Sequence, residues 1–313
     1  MIEVNGLTKY FSRRAQPALK DVSFDIKDGE ILGLVGLNGA GKTTGIRLAA
    51  GVILPSSGSV TIDGMDIVRD KAEASRQIGW VSEFPNFEPN AKSLSILRYL
   101  AGFYGLYGPE ATARCTELLK MMGLPDAASI KFSNLSQGMK KRVALARALL
   151  GDPKNLLLDE LLNGLDPEGV RFCRELMLEF RKQKKSVLLS SHILSEVQQV
   201  ADRVAVIHRG CLLRILTRED LSKAAGEVLR ITLGNLDPGT LEYLRTLGQV
   251  KHDGNTVWIK GPSVDPANIN KVLVTKGCSL TSLVVETENL ESLFFSILAE
   301  QERTVQTLGG KPL

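Results

Sequence analysis

Gly36-Leu37-Asn38-Gly39-Ala40-Gly41-Lys42-Thr43 fits the pattern GxxxxGK[ST]. Glycines in such a run let the backbone bend until successive N–H groups point at one anion, and the positive end of a following helix adds to the attraction. Lys42 supplies a point charge for the outer phosphates of a phosphate chain. The Thr43 hydroxyl is a hard oxygen of the kind magnesium prefers. Asn38, Gly39, Ala40, Gly41 and Thr44 belong to the same cradle. The competing reading is a glycine-rich turn with an incidental lysine. The flanks weigh against it, because EILGLV ahead of the loop reads as a strand and TTGIRLAA behind it as a helix.

A second reactive pair, Asp159-Glu160, closes the apolar run Asn155-Leu156-Leu157-Leu158. Ligands of open α/β sheets sit at the carboxyl edge of such strands. There Asp159 would hold magnesium through its water shell, and Glu160 would orient and polarise the water that attacks a γ-phosphate. Alone, the two acids would equally suit a solvated loop; the phosphate loop upstream favours the chemical reading.

Leu135-Ser136-Gln137-Gly138-Met139, followed by Lys140-Lys141-Arg142 and VALARALL, resembles the signature motif, usually LSGGQ, of the ATP-binding-cassette (ABC) ATPases. The resemblance implies that Ser136, Gln137 and Gly138 meet the γ-phosphate of an ATP held by another subunit. Asp166 in Gly164-Leu165-Asp166-Pro167 would couple two sites across a dimer, and His192 in SSHIL would contact the γ-phosphate. Phe11, or its neighbour Tyr10, would stack on adenine. Glu83 in VSEFPNF stands where a glutamine is usual and is expected near the metal. Local alternatives stay open for each: Ser136 as a plain helix N-cap, Asp166 as a helix start, His192 in a polar niche, Phe11 in the core. Leu161-Leu162 replaces a usual Pro-Thr, and Gln137-Gly138-Met139 replaces Gly-Gly-Gln. Since Lys42, Asp159, Glu160 and His192 are all present, the resemblance implies an active ATPase using ATP and magnesium.

These residues need a scaffold that gathers strand ends. EILGLVG, IGWVS (78–82), NLLLDE, SVLLSS (186–191) and RVAVIH (203–208) are the compact apolar runs of strands buried on both faces. They alternate with helical stretches such as Val170, Cys173, Met177 and Phe180, which predicts an α/β fold on a largely parallel sheet. With the resemblance, this becomes a P-loop NTPase cassette over 1–220 with a mixed sheet and an inserted helical subdomain over 86–150. Beyond it, the pattern βαββαβα predicts a small ferredoxin-like α+β domain over 221–300, with a hairpin turning at Asp253-Gly254, and a loose polar tail over 301–313.

The composition sets the limits. Thirty-nine Lys plus Arg against 35 Asp plus Glu leave a net charge of +4 over 313 residues, 43% of them hydrophobic. That is a folded chain with no basic concentration calling for nucleic acid. The four cysteines are scattered without a CxxC pair, so neither a disulfide framework nor a zinc site is expected. No apolar run is long enough to span a bilayer, and the start MIEVNGLTKYF has no secretory pattern. The resemblance to the ABC ATPases implies as partners a second nucleotide-binding subunit, identical or paralogous, and a transmembrane permease subunit. Glu83 through Pro89, with Phe84 and Phe87, is the expected joint to the permease, local packing being the other reading of those rings. The chain would lie in the cytoplasm on the inner face of the plasma membrane. The short α+β appendage resembles that of type-2 exporters. A soluble ATP-driven clamp and a nucleotide-gated interaction module are the rival functions.

Overall fold

The computed structural model describes residues 1–12, 16–224, 227–260, 265–287 and 290–307. One compact unit covers Met1–Thr217, with the chain from Glu300 grouped with it; a second covers Arg218–Ala299.

The first unit opens with β1 (Ile2–Lys9), β2 (Leu19–Ile26) and β3 (Ile31–Val35), and the phosphate loop leads from β3 into α1 (Lys42–Ala49). β4 (Ser57–Ile62) and β5 (Met65–Asp66) then join the first two strands in an antiparallel sheet of order β2-β1-β4-β5. The sequence reading did not place this sheet. Its strands interleave polar with apolar residues, as Lys20, Asp21, Ser23 and Asp25 do along β2, so they form no continuous apolar run.

α2 (Lys71–Arg76) and β6 (Ile78–Val81) are followed by α3 (Ser93–Ala101), α4 (Gly108–Met121) and α5 (Gln137–Ala148). Then come β7 (Asn155–Asp159), α6 (Pro167–Lys182), β8 (Ser186–Ser191), α7 (Leu194–Val200), β9 (Arg203–His208) and β10 (Cys211–Thr217). The main sheet has the order β10-β9-β3-β8-β7-β6 and is parallel except for edge strand β10. Every residue of β3, β7 and β8 is buried, which is why these runs were readable. α1 lies between the two sheets: Ile46, Leu48 and Ala49 share one core with Leu32, Leu157 and Leu188 on one side and Ile2, Val4 and Ile62 on the other. Hydrophobic burial on both faces fixes the strand ends that matter for the site.

The second unit begins with α8 (Arg218–Ala224) and β11 (Glu227–Leu233) and continues through α9 (Pro238–Thr246), β12 (Gln249–Asp253), β13 (Thr256–Lys260), α10 (Pro266–Thr275) and β14 (Leu280–Thr287). Its sheet is antiparallel in the order β12-β13-β11-β14. Leu244 of α9 and Ile269 and Leu273 of α10 pack with Leu229, Ile231, Val257 and Ile259. The hairpin turns one residue later than expected, on Gly254-Asn255, because Asp253 still pairs with Thr256. The closing helix α11 runs Leu290–Thr307. It continues past the expected boundary at Gln301, since nothing from Gln301 to Thr307 is a glycine or proline that would end it; residues 308–313 lie outside the described residues.

Candidate nucleotide-hydrolysing site

Three neighbouring strands end side by side. Val35 of β3 pairs with Ser191 of β8, and Asp159 of β7 pairs with Ser190 of β8. Directly beyond these ends lie the phosphate loop, Asp159-Glu160 and His192. β6, next to β7, leads out to Glu83.

Gly41 turns the loop into α1 at φ 110° and forms the N-cap of that helix. A Cβ there would lie 2.7 Å from the Ala18 carbonyl oxygen. Only glycine satisfies both the angle and the space. α1 has no side-chain cap, so its first N–H groups face the loop's concavity. Lys42 is 6% exposed, and its Nζ donates to the carbonyls of Gly36 (2.8 Å) and Leu37 (3.4 Å) and pairs with Glu160 Oε1 at 3.3 Å.

Glu160 is held from several sides. Its backbone lies at φ 47°, where side chains are rarely found. Its N–H donates to Ser190 Oγ at 3.0 Å, and the other carboxylate oxygen, Oε2, lies 2.9 Å from His192 Nδ1. A carboxylate only accepts, so Nδ1 carries the proton of that bond. Ser190 also donates to Asp159 Oδ1 at 2.7 Å, and Thr43 Oγ1 reaches the same oxygen at 3.2 Å. Burial raises the Asp159 carboxyl above its ordinary value, against the two hydroxyl bonds and with the charge of Glu160 adding to the rise.

A cleft of about 500 Å³ is lined by Asn38 through Thr44, Glu83, Glu160 and His192, together with Ala18 and Asn163. The structure thus brings together the phosphate loop, the carboxylate pair, Glu83 and the histidine. It does not bring in the signature. Ser136 caps α5, accepting from the Met139 N–H at 3.2 Å, and Asp166 caps α6, accepting from the Gly169 N–H at 2.9 Å. Neither these caps nor Gln137 and Gly138 line the cleft; Gly138 lies beside Leu165, next to Asp166. Phe11 is 67% exposed with Lys9 Nζ 5.4 Å from its ring centre, and Tyr10 is exposed as well. Phe87 packs edge-on against Phe132, whereas Phe84 is 75% exposed. Local packing therefore accounts for Phe87 and not for Phe84.

Three functional neighbours escaped the sequence reading. Ser190 sits in a strand read only as apolar, although the serine pair ahead of His192 was a usable signal. Asn163 had no motif to mark it. Lys141 was passed over as part of the basic run after the signature; it is 5% exposed and donates to the carbonyls of Glu160, Leu161 and Asn163. Burial pushes its ammonium below the ordinary lysine value, against the pull of Glu83 and Glu160.

The ABC transporter family model matches residues 19–163. The bacitracin transport ATP-binding protein BcrA of Bacillus licheniformis is 31% identical over 302 residues, spanning 95% of this chain and 97% of the relative. The chain belongs to the ABC transporter ATP-binding proteins. The linearmycin resistance ATP-binding protein LnrL of Bacillus subtilis is 29% identical, over 95% of this chain and 98% of its own length. Among solved structures, a dimeric ATP-binding cassette in a post-hydrolysis state with ADP and Pi superposes with a TM-score of 0.64 at 27% identity, over 70% of this chain and 99% of that one. This ABC protein is an ATP-binding transporter subunit and an ATPase. The cleft suits that substrate: backbone donors and Lys42 for a phosphate chain, a buried Glu160 for a water. Its oxygen donors also suit magnesium, which keeps waters and takes few protein ligands. Among the described residues no cluster of three or more His, Cys, Asp or Glu could hold a metal alone.

Proposed function

We propose that this ABC subunit hydrolyses ATP at the interface of a head-to-tail pair, with an identical chain or a paralogue, and so drives export through a separate membrane-spanning subunit. One observation carries the reading: the cleft gathers Lys42, Glu160 and His192 while Ser136, Gln137 and Gly138 lie outside it on the cap of α5. A signature that cannot serve its own cleft is free to serve another. Ser136 Oγ and the backbone at the start of α5 then meet the γ-phosphate bound by the facing subunit, and Asp166, one loop away, contacts the same interface. Phe11, or Tyr10 beside it, is exposed and free to stack on adenine.

Thr43 and Asp159 would hold magnesium, with Glu83 at the edge of the same cleft. Bound there, the metal would supply positive charge against the negative charge that develops in phosphoryl transfer. Lys42 exchanges Glu160 for phosphate oxygen when nucleotide enters, which frees the Glu160 carboxylate to accept a proton from the attacking water. His192 keeps that carboxylate oriented through Nδ1.

Export rests on the relatives named for bacitracin transport and linearmycin resistance. No helix among the described residues is long and apolar enough to cross a membrane, which fits a partner that supplies the helices and holds this chain at the inner face. The exposed rings of Phe84, Tyr99, Phe103 and Tyr107 on and beside the helical segment are the kind of surface a partner covers.

The test is Glu160→Gln. It should bind ATP at least as tightly, because the competing pair to Lys42 is weakened, and lose about 10² to 10⁴-fold in turnover. Near-normal hydrolysis would remove Glu160 from the role given it.

A further inference from the structure

We propose that Lys141 is a positioning residue for hydrolysis: from the helix that carries the signature, it holds the backbone turn on which Glu160 stands. This rests on the reading of Glu160 as the water-orienting group. Lys141 lies in the second turn of α5, whose N-cap is Ser136. Its Nζ donates to the carbonyls of Glu160 at 2.5 Å, Asn163 at 2.6 Å and Leu161 at 3.2 Å. An ammonium has three donors, and here the turn takes all of them.

The cost of burying that cation makes the clamp specific. A charge this deep is tolerated only while its hydrogen bonds are complete. If the turn relaxed, its carbonyls would rotate away and leave the cation unpaired. The turn in its observed shape and Lys141 in its observed position therefore depend on each other.

The turn needs such a restraint. Glu160 sits at φ 47°, a strained conformation for a side chain, and neither Leu161 nor Leu162 fixes the following backbone angle as a proline would. Lys141 acts on main-chain oxygens, so it restrains the turn whatever side chains stand at 161 and 162. At its far end α5 is tied down again, with Arg147 Nη1 donating to the Trp80 carbonyl at 3.0 Å, on the strand that leads to Glu83. One helix thus touches both segments that bring acids to the cleft.

Turnover and ATP affinity of the full chain are measured for Lys141→Met, alone and combined with Glu160→Gln. Lys141→Met is expected to lower kcat about 100-fold, the scale of a misplaced catalytic group, with Kd for ATP unchanged. It should have no further effect on the residual turnover of Glu160→Gln, because a residue acting through Glu160 has nothing left to act through. Equal losses in both backgrounds overturn the proposal, and so does an undiminished kcat in Lys141→Met alone. Lys141→Gln, which keeps an uncharged donor, covers a Met variant that does not fold. It is expected to lose about 10-fold in the parent and nothing beside Glu160→Gln; an equal loss in both, or none in the parent, overturns the proposal. A slow Glu160→Gln beside an unaffected Lys141→Met removes only the role of Lys141, whereas a fast Glu160→Gln removes both readings.

Discussion

Gly41 and Gly39 sit two residues apart in one loop and make different demands. Both have positive φ, 110° and 79°, but a Cβ on Gly39 meets nothing within 4 Å while one on Gly41 meets the Ala18 carbonyl and Leu19. Gly39→Ala should therefore cost the free chain only the left-handed backbone penalty, about 1–2 kcal/mol. Gly41→Ala adds a clash with main chain that cannot move aside, and should lose both more stability and nucleotide binding. Denaturant unfolding and nucleotide titration of the two variants separate these outcomes. At this scale the motif made both glycines legible as a class. It could not rank them, because the difference lies in Ala18, which a distant strand brings to the loop. Ser190 and Lys141 were illegible for the same reason: each works by touching backbone that is remote in sequence.

Between β5 and α2 the chain reverses around Asp66, whose Oδ1 accepts from the N–H groups of Val68 at 2.8 Å and Arg69 at 2.9 Å. Those bonds, from Arg69 first and then Val68, hold the carboxyl below its ordinary value. A group whose folded pKa is lowered stabilises the fold fully above its unfolded value, near 4, and loses that contribution as pH falls through the folded value. Asp66→Asn removes the charge and keeps an acceptor. It should lower stability at pH 7 by less than about 1 kcal/mol, since the site is water-screened, and melting curves of parent and variant should converge as pH falls below the ordinary carboxylate value. Elements of this kind decide what a sequence displays. The strands of the main sheet were legible because burial on both faces demands unbroken apolar runs, and α6 because one buried stripe recurs at helical spacing. The antiparallel sheet of β1, β2, β4 and β5 was not, because half-buried strands share their alternation with ordinary loops. The signature segment shows the same limit from the other side: Ser136 caps its own helix in the isolated chain, and the part proposed for it in a second subunit's cleft would be a property no single chain exhibits.

At the scale of the whole molecule, the second unit has a core of its own and the residues lining the nucleotide cleft all belong to the first, so ligand should stabilise the two unequally. The cysteines report on this. Cys115 and Cys173 are buried in the first unit, and Cys278 is half-buried in the second, its Sγ 3.1 Å from Thr240 Oγ1. Burial pushes the Cys173 thiol up to about 11 and raises Cys115 as well. At pH 8 neither presents much thiolate, and both are closed to a bulky reagent, so labelling has to pass through unfolding of the first unit. A nucleotide analogue at 100 times its Kd adds about 2.7 kcal/mol to that unit's stability. If reclosing outpaces reaction, labelling of Cys115 and Cys173 should then slow about 100-fold, in step with the unfolded population. Cys278 has no bound nucleotide in its own unit and should label at an unchanged rate. Mass spectrometry of the labelled peptides reads all three sites in one experiment. Equal slowing at Cys278 would mean that the units open together, and that the small α+β unit draws its stability from the nucleotide-binding one.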